Sequence, residues 1–107
     1  MLIVSPEYNA SISGVLKNAL DWISRTDTPG EPALSAFDGK VAAIMSASPG
    51  ALGGIRGLVP LRAMLSEIKV MVLPSQLALS AAGEAFDDSG KLKDPKRADS
   101  VNSIVKA

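Results

Sequence analysis

The 107 residues include no His and no Cys. Imidazole bases, thiolate nucleophiles, disulfides and cysteine or histidine metal sites are therefore ruled out together. Two short stretches gather the groups that remain for recognition. The first is Pro6-Glu7-Tyr8-Asn9, directly after the apolar run Met1 to Val4. Pro6 closes that run and frees the backbone beyond it to face a ligand. Tyr8 brings a planar ring with a hydroxyl, and Asn9 a carboxamide that both donates and accepts. Glu7 supplies a carboxylate for a polar partner or a neighbouring subunit. The second stretch runs from Ser46 to Gly54, Ser-Ala-Ser-Pro-Gly-Ala-Leu-Gly-Gly. Its small residues let backbone approach a ligand closely. By themselves, the four residues Pro6 to Asn9 describe an ordinary strand-exit turn better than a ligand loop.

The remaining charged groups point to less. Lys17 and Asp21 are four apart and read as an exposed helical ion pair. Asp87-Asp88-Ser89-Gly90 reads as a solvated turn, because no further carboxylates follow at the spacing a calcium loop needs. No metal site is expected. Arg56, just after Gly53 and Gly54, reads equally as a solvated cation and as a group for a phosphate or a partner subunit.

Both stretches must be held by regular elements. Met1 to Ser5 reads as a short buried strand. Ser13 caps a helix from Gly14 to Ser24, with Val15, Leu16, Ala19, Leu20 and Ile23 on its apolar face. Thr26 to Asp38 is a loop marked by Pro29, Gly30 and Pro32, with Phe37 plugging the core edge. Lys40 to Met45 is a second strand, ending where the small-residue loop begins. A helix follows to about Ile68, with Leu58, Leu61, Met64, Leu65 and Ile68 as its stripe. Pro60 requires that helix to start near Val59 or to kink. Lys69 to Leu73 is a third strand, and Gln76 to Ala82 can continue it beyond Pro74. Asp94-Pro95 is a cap with proline at the first helical position, opening a helix through Ala98, Val101, Ile104 and Val105. Continuous apolar strands alternating with helices describe an α/β domain with a parallel sheet and right-handed crossovers. Both candidate stretches then lie at the carboxyl ends of strands, where open sheets bind ligands.

Composition sets the outer bounds. Formal net charge is zero, so no broad field favours nucleic acid or an anionic membrane. No apolar run reaches the roughly 20 residues of a membrane span. The first residues carry no basic region typical of a signal peptide. A cytoplasmic location is the expectation.

The stretch from Pro6 to Arg25, P-E-Y-N-A-S-I-S-G-V-L-K-N-A-L-D-W-I-S-R, resembles the NADPH-dependent FMN reductases, a flavodoxin-like group that includes the chromate and quinone reductases. Their pattern is roughly P-E-Y-N-x-S-x-x-G-x-L-K-N-A-x-D-W-x-S-R, and every fixed position is filled. The resemblance implies a flavodoxin-like sheet of order 2-1-3-4-5, of which this chain holds the last three strands and their flanking helices. Residues 1–107 are then a single partial domain, with about two strands and two helices of the family pattern preceding it. The resemblance also implies FMN as cofactor, NADPH or NADH as donor, and a quinone, a flavin or a metal oxyanion as acceptor. It implies a homo-oligomer. Pro6, Glu7, Tyr8 and Asn9 match the family's first flavin-contacting loop, and Ser46 and Ala47 its second. No side chain is assigned a catalytic role, because the cofactor carries the hydride chemistry.

This chain departs from the family in places. Ala47 stands where Ser or Thr is frequent, leaving only backbone contact. Leu58, Val59 and Pro60 replace the polar and aromatic residues of the usual subunit contacts. No segment matches the Gly-Ser-x-Arg phosphate cradle after the family's first strand. Its loss is worth several kcal/mol of FMN affinity, if about three charge-assisted hydrogen bonds of roughly 1.5–3 kcal/mol each are missing. A second reading follows: a non-catalytic chain that associates with another through its bare strand edge. A third, a flavodoxin-like electron carrier, is disfavoured by the lack of acidic excess.

Overall fold

A computed structural model describes all residues, 1–107. The order is β1 (Leu2–Val4), α1 (Gly14–Ile23), β2 (Val41–Ala47), α2 (Ile55–Glu67), β3 (Met71–Leu79), a 3-10 turn (Ala82–Glu84) and α3 (Pro95–Lys106). The strands form one parallel sheet in the order β1-β2-β3. This is the flavodoxin-like α/β arrangement expected.

Alternate residues of β2 serve the two faces of the sheet. Ala42 and Ile44 join Leu20, Phe37, Leu58, Leu61, Leu65 and others in the larger core, under α1 and α2. Ala43 and Met45 meet Ile104 of α3 in a smaller one. Each fully buried leucine of α2 contributes about 1.5–3 kcal/mol. Phe37 plugs the larger core as expected, at 4% exposure. The smaller core leaves an apolar groove of about 390 Å³ beside α3, lined by Leu2, Val41, Ala43, Ile104 and Val105 among others. The radius of gyration, 15.3 Å, exceeds the about 13 Å of a compact chain this long. The sheet is thus not wrapped on all sides.

Several expectations need correction. β1 is not buried: Leu2 and Val4 are exposed, because nothing pairs its outer edge and α3 does not reach over it. The apolar face of α1 is narrower than its pattern. Leu16 and Leu20 turn inward, while Val15 is 83% exposed and Trp22 73%. β2 runs to Ala47, two residues further than its apolar content indicates, because Ser46 and Ala47 pair with Ala78 and Leu79. α2 starts at Ile55 and passes through Pro60, which excludes the later start near Val59, one of the two readings of this proline. The missing proline N–H leaves the Arg56 carbonyl without its helical donor. β3 does continue beyond Pro74, to Leu79, with a bulge in which Leu73, Pro74 and Ser75 lie opposite Ala43 alone. The caps are as read: Ser13 accepts from Leu16 N, and Asp94 from Lys96 N ahead of α3. No helix is long and apolar enough to cross a membrane.

Candidate functional site

The first loop leaves the carboxyl end of β1. Ser5 N–H donates to the Met45 carbonyl at 3.0 Å, and the buried Ser5 hydroxyl donates to the Pro6 carbonyl at 2.9 Å. A tight turn follows. Tyr8 N–H donates to Ser11 O at 2.9 Å and Ser11 N–H to Tyr8 O at 3.1 Å. Between them Asn9 has φ 53° and Ala10 φ 63°, the two left-handed residues of a type I′ turn. Asn tolerates that region. Ala does not, and its strain is about 1–2 kcal/mol. Strain of this kind collects at functional sites, where the surroundings enforce it. The turn leaves Tyr8 and Asn9 exposed.

The second loop leaves β2 beside the first. The Ser46 hydroxyl is buried and donates to Gly53 O at 2.7 Å. That side chain folds the loop back on itself, so what Ser46 and Ala47 offer outward is backbone. Ser48 N–H donates to Leu79 O at 3.0 Å, Ala82 N–H to Ser48 O at 3.0 Å and Ala81 N–H to Gly50 O at 3.1 Å. Gly53 and Gly54 are both left-handed, at φ 63° and 82°, and Gly54 opens α2 without a side-chain cap.

Glycines bring the two loops together. A Cβ on Gly57 would lie 2.9 Å from Ser11 O and 3.4 Å from Glu7 Cβ, and one on Gly54 3.6 Å from Glu7 Cβ. The first loop therefore rests directly on the first turn of α2. Sequence reading missed Gly57, although a glycine inside a helix signals close packing. Glu7 Oε1 is buried here without a hydrogen-bond partner. Arg56 is exposed in the same first turn of α2.

The rest of the surface is quiet. Lys17 and Asp21 form the expected exposed pair, at 2.7 Å. No cluster of three Asp or Glu side chains gathers as a metal site would require. Two carboxyls titrate below their ordinary range, both in solvated turns. Glu31 is held by the Ser35 hydroxyl and the Asp27 and Thr28 N–H groups. Asp87 is held by the Ser89 hydroxyl and the Lys91 N–H. A cavity of about 650 Å³ lies away from both loops, between the β3 bulge and α3.

The donor set fits the ring of a flavin. A flat exposed phenol, an exposed carboxamide and an acceptor without a partner, with strained backbone between, match a planar heterocycle whose edge mixes N–H and C=O groups. Arg56 follows the second loop by two residues and is exposed in the first turn of α2, on which the first loop rests.

Comparison with known proteins gives the same direction. The profile of a family described as NADPH-dependent FMN reductase matches residues 1–84. An NAD(P)H-dependent FMN reductase of Pseudomonas aeruginosa is 41% identical over 108 residues, spanning 100% of this chain and 55% of that protein. A quinone reductase of Pseudomonas putida is 41% identical over 99 residues, 91% of this chain and 50% of its own. The solved structure of FerB, a flavoenzyme NAD(P)H:(acceptor) oxidoreductase from Paracoccus denitrificans, superposes with a TM-score of 0.82 at 29% identity, over 98% of this chain and 56% of FerB. The chain thus spans about half the length of the relatives it matches. With both candidate loops inside the matched residues, this chain belongs to the NADPH-dependent FMN reductase family.

Proposed function

We propose that this chain forms the ring-binding part of a cytoplasmic, NAD(P)H-dependent FMN oxidoreductase that passes electrons to a small acceptor, a quinone first among them. The observation that carries this reading is the docking of the Pro6–Asn9 loop on the α2 start through Gly54 and Gly57, inside the stretch that the family profile matches. FMN, when bound, would accept hydride from the nicotinamide and return electrons to the acceptor.

The chain's own residues would orient the ring and keep water from one side. Tyr8 would supply a face, Asn9 a donor and acceptor, and Pro6 the break that turns the backbone outward. Glu7 would accept from a ring N–H or hold the loop on α2. Ser46 and Ala47 would contribute backbone alone. The phosphate would need donors beyond these two loops, and the free β1 edge is where a further strand carrying them would pair. In this reading residues 1–107 are one partial domain. The exposed Val15 and Trp22 on α1 and Val59 on α2 support self-association into an oligomer.

The test is an FMN titration of the purified chain, followed by NAD(P)H oxidation with a quinone. Saturable binding in the micromolar range, weakened at least about tenfold by Asn9→Gly, which removes the carboxamide without straining the left-handed turn, is the expected result. No saturation up to millimolar FMN would overturn the reading that these two loops bind the ring. The second reading, a non-catalytic chain that pairs through its strand edge, rests on the exposed Leu2 and Val4. It predicts association without flavin binding.

A further inference from the structure

Within itself the second loop is held by the Ser46 hydroxyl on Gly53 O and by a local bond from Gly50 N–H to Ser48 Oγ. Three further hydrogen bonds tie it to the last residue of β3 and the backbone just after: Ser48 N–H to Leu79 O, Ala82 N–H to Ser48 O and Ala81 N–H to Gly50 O. Gly53 lies flat on the same segment, since a Cβ there would meet Ala78 C and Ser80 N at 2.7 Å. Where residues 79–82 go, the loop must follow. That segment is itself under strain, with the non-glycine Ala81 at φ 49°, so something must hold it.

Arg97 of α3 reaches it. Its Nη1 donates to Ser80 O at 3.0 Å and its Nη2 to Ser80 Oγ at 3.0 Å. This is a planar fork spanning one residue's carbonyl and hydroxyl. The arginine is aimed from a rigid base. Asp94 caps α3 and lies 3.8 Å from Arg97 Nε, and Pro95 fixes the first helical residue. The apolar anchor of α3, Ile104 with Val101, lies further along the helix, so the Arg97 fork is a separate attachment. Arg97 also lies beyond residues 1–84, the stretch that the family profile matches.

We propose that Arg97 is a positioning residue for the ring-facing loop Ser48–Gly54, acting through Ser80. The proposal rests on the flavin reading of that loop for its functional meaning. Without the fork, the segment after β3 relaxes from its left-handed turn and the loop loses its register against Tyr8 and Asn9.

The experiment is amide hydrogen exchange on the full chain, with FMN titration of the same variants. Arg97→Met is expected to speed exchange at Ser48, Ala81 and Ala82 by about tenfold, the worth of one charged hydrogen bond. Ser5 and Ala43, which pair β1 with β2, keep their rates. FMN binding weakens by a similar factor. Arg97→Lys, with its single rotatable ammonium, restores part of both effects. Ser80→Ala, which keeps the carbonyl, gives a smaller version and stands in if Arg97→Met does not fold. Unchanged exchange at the three amides, or uniform acceleration across the sheet, overturns the proposal even if FMN binds normally. Local acceleration in a chain that never binds FMN keeps Arg97 as the loop's clamp and defeats the flavin reading instead.

Discussion

The two flanks of the sheet are built differently. At the β3 flank the strand bulges at Leu73-Pro74-Ser75, and Pro74 offers no N–H to a further strand. Arg62 of α2 reaches across to secure the irregularity, donating to Leu73 O at 2.8 Å and to Gln76 Oε1 at 2.9 Å. Arg97 and Gly53 lock the end of the same strand. At the β1 flank there is no bulge, no proline and no charge. Leu2, Ile3 and Val4 form a straight apolar strand, with Val4 60% exposed. Natural edges are blunted by bulges, prolines and charges. The β3 flank carries a bulge and a proline, and the β1 flank carries neither.

The largest effect is expected where the β3 flank is tightest. Gly53→Ala puts a methyl 2.7 Å from backbone at φ 63°. Overpacking of about 1–3 kcal/mol and left-handed strain of about 1–2 kcal/mol add to roughly 3 kcal/mol of lost stability in denaturant unfolding. A loss under about 1 kcal/mol would mean that the segment after β3 yields freely. Next comes Arg62→Met, which leaves the Leu73 carbonyl and the Gln76 amide without their donor. Its expected cost is about 2 kcal/mol, and an unchanged midpoint would show that the bulge holds itself.

At the other flank, Leu2→Lys adds the charge that edges normally carry. Stability should change by no more than about 0.5 kcal/mol, while concentration-dependent association through the edge is lost in sedimentation. Association that survives the lysine would place the contact elsewhere, with the α1 and α2 surfaces first in line. The smallest effect concerns neither flank and serves as a control. The Asp87 carboxyl lies below its ordinary 3.8 because the Ser89 hydroxyl and Lys91 N–H bind its charged form. A folded pKa below the unfolded one gives stability that is present above about pH 4 and is lost as pH falls through the folded value. The turn at 87–91 should open in acid before the sheet does, seen in the Ser89 and Lys91 amide signals.

Much of this was legible beforehand. The alternation of apolar strands with capped helices predicted the parallel sheet, and the family resemblance predicted its order. The Pro6–Arg25 stretch predicted the family. Ser13, Asp94 and Pro95 marked two helix starts correctly, because a cap is a contact between neighbours in the chain. Burial was less legible. Val15 and Leu16 have similar hydrophobicity and adjacent positions, yet one is solvent-facing and the other packed. Only the placement of α1 on the sheet separates them. Ser46 and Ala47 read as loop because they are small and weakly apolar, and pairing with Ala78 and Leu79 made them strand. Pro60 read as a helix start or a kink because propensity disfavours it inside, and the packing of Leu58, Leu61 and Leu65 carries the helix through it.

The sequence by itself determined what depends on near neighbours: the caps at Ser13 and Asp94, the apolar period of each element and the composition of the two loop regions. Only the tertiary structure decided what depends on segments far apart along the chain. Gly57 against Ser11, Arg62 against Leu73 and Arg97 against Ser80 each join separate elements. An isolated glycine or arginine in a helix pattern carries no sign of the carbonyl it will meet. Its partner is set by the register of the strands and by how each helix lies on the sheet, and those are properties of the packed whole.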